Sequence, residues 1–282
     1  MTAAAAPSRK DAAQADPRFW LAALTMLNKQ RQPDEAQIKD YLAYLADGGA
    51  DGALVLGTTG EFSSFSVRER KRILELYLKH RGKLAIMGQV GCANLPETLE
   101  LAEHAGASGV ESILVLPPFY FKSVTLDGLE QFFKPVLDQS RVPVLLYNIP
   151  QMSGVAITPE LLKRLSGHPN LYGIKDSFSK ADAMTAFVRD FPKLKVITGL
   201  PTLLALNLKE GGAGIITGNG SVFLKETTAV FEAFRQGKDM TSAQNKLTEA
   251  SGLLGGYDGI PAMKYMISHM GLKESYPRTP FA

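Results

Sequence analysis

Eight short apolar runs, each followed by a longer amphipathic stretch, leave this 282-residue chain few ways to fold. The runs are Trp20–Thr25, Gly52–Leu56, Leu84–Val90, Gly109–Leu116, Val142–Tyr147, Leu171–Lys175, Lys195–Thr198 and Gly214–Thr217. They are apolar on both faces, as parallel strands covered from two sides must be. Helices are expected near 34–47, 66–81, 95–106, 125–139, 158–166, 179–190 and 202–210, with an eighth after Ser221. Asp34, Ser66, Asn94 and Thr125 stand where a side chain can satisfy the first amides of a helix, and Thr158-Pro159-Glu160 is a start signal in itself. Repeating βα units of about 25–30 residues, eight times over, predict an α/β fold, the (β/α)8 TIM barrel, rather than an open doubly wound sheet with fewer strands and a nucleotide fingerprint. The barrel is expected over residues 17–238, additional C-terminal helices of the same domain over 239–282, and a flexible N-terminal tail over 1–16.

Composition narrows the function. The formal charge is +3, and basic residues are interspersed with acidic ones instead of forming a stripe, so nucleic acid is not an expected partner. No run approaches the ~18 apolar residues of a membrane span, and the Ala-rich start lacks the apolar core of a signal peptide. The single cysteine, Cys92, has no disulfide partner within the chain, and no Cys/His cluster has metal-ligand spacing. A cytoplasmic enzyme of small-molecule chemistry, with no metal, is the expectation.

In such barrels chemistry gathers at the carboxyl ends of the strands. After the second strand, Gly57-Thr58-Thr59-Gly60-Glu61 offers a tight turn whose hydroxyls and amides can converge on a carboxylate, although the same residues also make an ordinary βα loop. The fourth strand ends in Pro117-Pro118-Phe119-Tyr120-Phe121-Lys122 and the fifth in Tyr147-Asn148-Ile149-Pro150. Loop aromatics usually pack, but Tyr120 and Tyr147 share one end of the barrel and carry tips that can handle a proton. The sixth strand closes with Gly173-Ile174-Lys175-Asp176-Ser177, a lysine at the end of an apolar strand. In a pocket of low dielectric its neutral amine would be favoured and would attack a ketone; the competing reading is an ion-paired strand-end lysine. Lys122 is its rival, but lies further out in a loop. The glycine-rich turn at Gly218–Ser221 permits a second reading, a phosphosugar aldolase or isomerase, which the lack of a basic residue before Lys225 weakens.

The three motifs at 57–61, 147–150 and 173–176, in this order and spacing, resemble the signatures of the dihydrodipicolinate synthase/N-acetylneuraminate lyase family from about Phe19 to Pro280. The resemblance implies a class I aldolase: Lys175 forms a Schiff base with pyruvate or another 2-oxo acid, Thr58 and Thr59 hold the substrate carboxylate, and Tyr147 relays protons. It further implies a Tyr147–Thr59–Tyr120 chain in which Tyr120 comes from a neighbouring subunit, hence a homo-oligomer, dimer or tetramer. Gly199 and Ile216 map to positions around the bound pyruvate, and no organic cofactor is implied.

Two departures bear on the second substrate. Where the synthase branch carries an arginine for a second carboxylate this chain has Met152, and a thioether cannot replace a bidentate guanidinium. Where the sialic-acid lyases carry an acidic pair, it has Leu200-Pro201-Thr202. Met152, Phe121 and Leu200, with Ser177, Thr58 and Asn219 as the polar groups, suit a neutral aldehyde better than one bearing a carboxylate. Cleavage of a 2-oxo-3-deoxy sugar acid into pyruvate and an aldehyde is therefore expected, with a dehydratase of similar acids or dihydrodipicolinate synthase as alternatives. A 2-oxo-acid sensor that has lost catalysis is the non-enzyme reading.

Overall fold

The computed structural model describes residues 17–178, 180–255 and 259–281. The expected tail at 1–16 lies outside them. Eight parallel strands close into a barrel in sequence order, β1 pairing with both β2 and β8. They are β1 Arg18–Ala22, β2 Gly52–Val55, β3 Ala85–Gln89, β4 Ser112–Val115, β5 Val144–Asn148, β6 Leu171–Asp176, β7 Lys195–Thr198 and β8 Gly214–Thr217. Nearly every strand residue is buried, since one face fills the barrel and the other meets the helices. Among the described residues no helix is long and apolar enough to cross a membrane.

The helices form where side chains satisfy their first amides. Asp34, Ser66, Asn94, Thr125 and Thr158 each accept from a first-turn backbone N–H, and Ser66 with Glu69 makes a reciprocal capping box. Beyond the barrel, helices Thr241–Gly252 and Gly259–Ser268 pack on after Leu224–Arg235.

The strand limits differ from hydrophobicity alone in two informative places. β1 begins at Arg18, not Trp20, because the Phe19 amide donates to Oδ2 of Asp51 at 2.7 Å and the Arg18 amide to the carbonyl of Ala213 at 3.1 Å. β4 begins at Ser112, not Gly109, because Gly109 has φ 88° and ends the helix Leu95–Ser108. A four-residue helix, Pro150–Ser153, lies outside the helices expected from the sequence.

The amino-terminal end of the barrel is closed by charges. Arg18 pairs with Glu111 and lies 4.5 Å from the Trp20 ring centroid. Burial pushes the nearby Tyr172 phenol up and the Lys195 amine down. The opposite, carboxyl-terminal end carries every motif singled out in the sequence.

Candidate active site

β5 and β6 run in register, with Tyr147 opposite Lys175 and Asn148 opposite Asp176. Because side chains alternate across a strand, the first pair faces the barrel interior and the second the opposite side. Lys175 is 3% exposed, and its Nζ stands 4.1 Å from the Tyr147 ring centroid. Among the described residues no carboxylate forms an ion pair with it. An ammonium over a ring face is a weak attraction of about 0.5–2 kcal/mol, less than a buried carboxylate would supply. The amine is thus left available to a ligand.

Asn148 and Asp176 fasten the strand ends. Asn148 Nδ2 donates to Asp176 Oδ1 at 2.8 Å, while Asn148 Oδ1 accepts from the Ile157 amide at 3.0 Å. The Ser177 amide donates to the Asn148 carbonyl at 3.0 Å and the Gly199 amide to the Asp176 carbonyl at 2.7 Å. Three successive βα loops are thereby tied to one another. Oδ2 of Asp176 is buried and has no partner among the described residues.

The threonine loop closes over this pair. The hydroxyl nearest Tyr147 is that of Thr58, at 3.5 Å, the outer edge of hydrogen-bond distance. This corrects the expected order of contacts, in which Thr59 was the neighbour of Tyr147. The turn sends the two adjacent side chains apart: Thr59 packs against Gly218, where an added Cβ would stand only 2.4 Å from its Oγ1. Gly199 is required in the same way, since a Cβ there would meet Ser177 Oγ at 1.9 Å. Ile216 lies fully buried in β8.

The outer residues are placed differently. Tyr120 is 81% exposed, with φ 96° and its ring edge-on to Phe121, and among the described residues no hydrogen bond joins it to Tyr147, Thr58 or Thr59. Phe121, Met152 and Phe178 are exposed as well, on the segments that follow β4, β5 and β6. Gln151 Nε2 donates to the Ser177 carbonyl at 2.9 Å, holding the Met152 turn beside the Lys175 strand.

One contributor escaped the sequence reading. Lys264, on the helix Gly259–Ser268, is buried and lies 2.6 Å from Oε1 of Glu61 at the end of the threonine loop. Burial pushes its amine down, and Glu61 offsets only part of that fall. No local pattern distinguishes this lysine from its solvated neighbours; only an apolar helix face around it hints at burial.

A parallel barrel thus brings a buried lysine, with no carboxylate paired to it among the described residues, beside a tyrosine at the carboxyl ends of adjacent strands. The chain belongs to the Dihydrodipicolinate synthetase family, whose profile matches residues 17–282. It is 40% identical over 256 residues to an uncharacterised DapA-like lyase of Chloroflexus aurantiacus, covering 89% of this chain and 86% of that protein. To the putative 2-dehydro-3-deoxy-D-gluconate aldolase YagE of Escherichia coli it is 31% identical over 219 residues, covering 76% of this chain and 72% of that one. The crystal structure of YagE in complex with pyruvate superposes with a TM-score of 0.88 at 27% identity, over 94% of this chain and 92% of the other. A dihydrodipicolinate synthase of Acinetobacter baumannii, at 24% identity and TM-score 0.89, shares the fold, covering 95% of this chain and 93% of that one.

Proposed function

We propose that this protein is a class I aldolase that cleaves a 2-oxo-3-deoxy sugar acid, reversibly, into pyruvate and a neutral aldehyde through a Schiff base on Lys175. The observation that carries the reading is the buried Lys175 amine, unpaired by any carboxylate among the described residues and 4.1 Å from the Tyr147 ring centroid. In its neutral form that amine attacks the C2 carbonyl, and loss of water leaves an iminium. The iminium draws the electrons of the C3–C4 bond into an enamine as the C4 hydroxyl loses its proton, becomes a carbonyl, and the fragment from C4 onward departs as the aldehyde. Protonation at C3 and hydrolysis then free pyruvate and the lysine. Tyr147, next to the Thr58 hydroxyl, is the group suited to carry these protons, with Thr58 and Thr59 receiving the carboxylate.

The substrate follows from the mouth. Met152, Phe121 and Leu200 offer no cation to a second carboxylate, which would be costly to desolvate unpaired. The likeness to the putative deoxygluconate aldolase supports the same choice. Ser177 and Asn219 are the polar groups left for hydroxyls. Tyr120, from a second copy, would complete the proton relay, which makes a homo-oligomer, dimer or tetramer, the working form. The expected compartment is the cytoplasm.

Pyruvate with borohydride is expected to add irreversible mass at Lys175, and Lys175→Ala to abolish it. Equal labelling of that variant would refute the assignment. The substrate is tested by supplying 2-oxo-3-deoxy acids, and separately pyruvate with neutral aldehydes or aspartate semialdehyde. A higher kcat/KM for aspartate semialdehyde than for every neutral aldehyde would replace the Met152 argument with the synthase reading. Water loss without pyruvate release would identify a dehydratase.

A further inference from the structure

The loop that carries Thr58 and Thr59 is fastened from the far end of the chain. It is bracketed by Leu56 and Glu61, each at φ 59°, a left-handed backbone that non-glycine residues resist. Such backbone persists only where its surroundings over-determine it. Around Glu61 they do. Its side chain is fully buried, with Oε1 2.6 Å from Nζ of Lys264 and Oε2 accepting the Arg278 amide at 2.7 Å. Nζ of Lys264 also reaches the Tyr276 carbonyl at 3.4 Å. A carboxylate from the loop after β2, an ammonium from the helix Gly259–Ser268 and an amide from the C-terminal segment therefore meet in a dry place. The loop's other hydrogen bonds join uncharged groups, among them the Gly60 and Phe62 amides to the Gly57 carbonyl, the Glu61 amide to Thr58, the Thr25 hydroxyl to the Gly60 carbonyl and the Thr58 hydroxyl with that of Tyr147.

A pair buried this deeply is a poor source of net stability, because desolvating both charges offsets their attraction. Its contribution is geometric, since Glu61 adopts one place and the turn behind it follows. We infer that Glu61 and Lys264 are positioning residues, a latch by which the C-terminal helix holds the Thr58 and Thr59 hydroxyls in register with Tyr147 and the substrate carboxylate. The functional half of this inference rests on the Schiff-base reading. The structural half does not.

The test compares Glu61→Gln and Lys264→Met with Phe133→Leu, a buried substitution on the helix Leu126–Gln139 away from the loop. Without ligand, amide hydrogen exchange over residues 57–65 is expected to quicken by roughly tenfold or more in the two latch variants and to stay at the parent rate in the control. The pyruvate concentration giving half-maximal borohydride trapping should rise about tenfold, while the trapping rate at saturation stays within about threefold. A lowered Tm with unchanged exchange at 57–65 and unchanged half-saturation would overturn the inference and assign the pair to stability alone. If Glu61→Gln does not fold, Lys264→Arg, which keeps the charge, should behave as the parent where Lys264→Met does not; equal behaviour of the two refutes the latch. Should pyruvate fail to trap the parent protein, the Schiff-base reading falls, and the exchange comparison alone decides whether the loop is latched.

Discussion

Two lysines are buried among the described residues, and their surroundings separate their roles. Lys264 has a carboxylate at 2.6 Å, whereas Lys175 has only an aromatic face at 4.1 Å. Under the proposed Schiff-base reading, the absence of a paired carboxylate leaves the Lys175 amine open to a ketone. The tyrosine beside it can be dissected at the same scale. Tyr147→Phe keeps the ring under Lys175 and removes the phenol, so pyruvate should still be trapped while turnover falls by about 10²- to 10⁴-fold. Trapping that disappears with turnover would mean the phenol is needed for imine formation itself. Thr58→Val and Thr59→Val should diverge: only Thr58 has its hydroxyl 3.5 Å from Tyr147. Loss of the first is expected to depress kcat more than the second, measured at saturating substrate.

At the scale of elements, the site depends on how closely the strand ends approach. A methyl group on Gly199 would stand 1.9 Å from Ser177 Oγ, so the β6 and β7 loops must separate to accept it. Gly199→Ala is expected to weaken pyruvate trapping by at least about tenfold with little change in Tm, because the displaced atoms are in loops and not in the barrel core. The C-terminal segment offers a pH test. Arg278 lies 2.6 Å from Glu69, at the start of the helix Val67–His80, and holds that carboxyl down at about 2 from an ordinary 4.5. A depressed carboxyl stabilises above its unfolded value and loses that contribution as pH falls toward its folded one. The Tm deficit of Arg278→Met should therefore be largest above pH 4.5 and shrink toward pH 2. A deficit that does not vary with pH would assign Arg278 to packing over the Phe65 ring, 4.3 Å away, and to its bonds with the Ser64 and Arg31 carbonyls.

For the whole molecule, the barrel divides its labour by end. Arg18 and Glu111 close the amino-terminal mouth, whereas the carboxyl-terminal mouth presents Tyr120, Phe121, Met152 and Phe178 to solvent. Tyr120 combines φ 96° with 81% exposure, and among the described residues its ring contact is with Phe121, its equally exposed neighbour. The expected outcome is an oligomer in which Tyr120 is covered, read by light scattering as a mass above that of one 30.5 kDa chain. Tyr120→Ala should lower turnover by about tenfold or more. A monomer with full activity would remove Tyr120 from the site.

What the sequence determined by itself is what rests on periodicity and local chemistry. Eight doubly apolar runs and the capped helices between them specify a closed parallel barrel, because alternating βα units of that number have few other ways to bury both faces of every strand. The placement of Lys175 and Tyr147 at one end of the barrel was legible because a polar group at the end of an apolar strand is conspicuous, and their opposition across β5 and β6 follows once the strands pair in register. Tertiary structure decided the rest. Which of two adjacent threonines meets Tyr147 depends on the turn at Gly57–Glu61, whose left-handed Glu61 no propensity predicts. Lys264 could not be tied to Glu61 from sequence, because nothing local records a charge pair made between residues so far apart in the chain. That contact exists only after the barrel closes and the last helix folds back across it, where two charges deprived of water are met by each other and by the Arg278 amide and Tyr276 carbonyl.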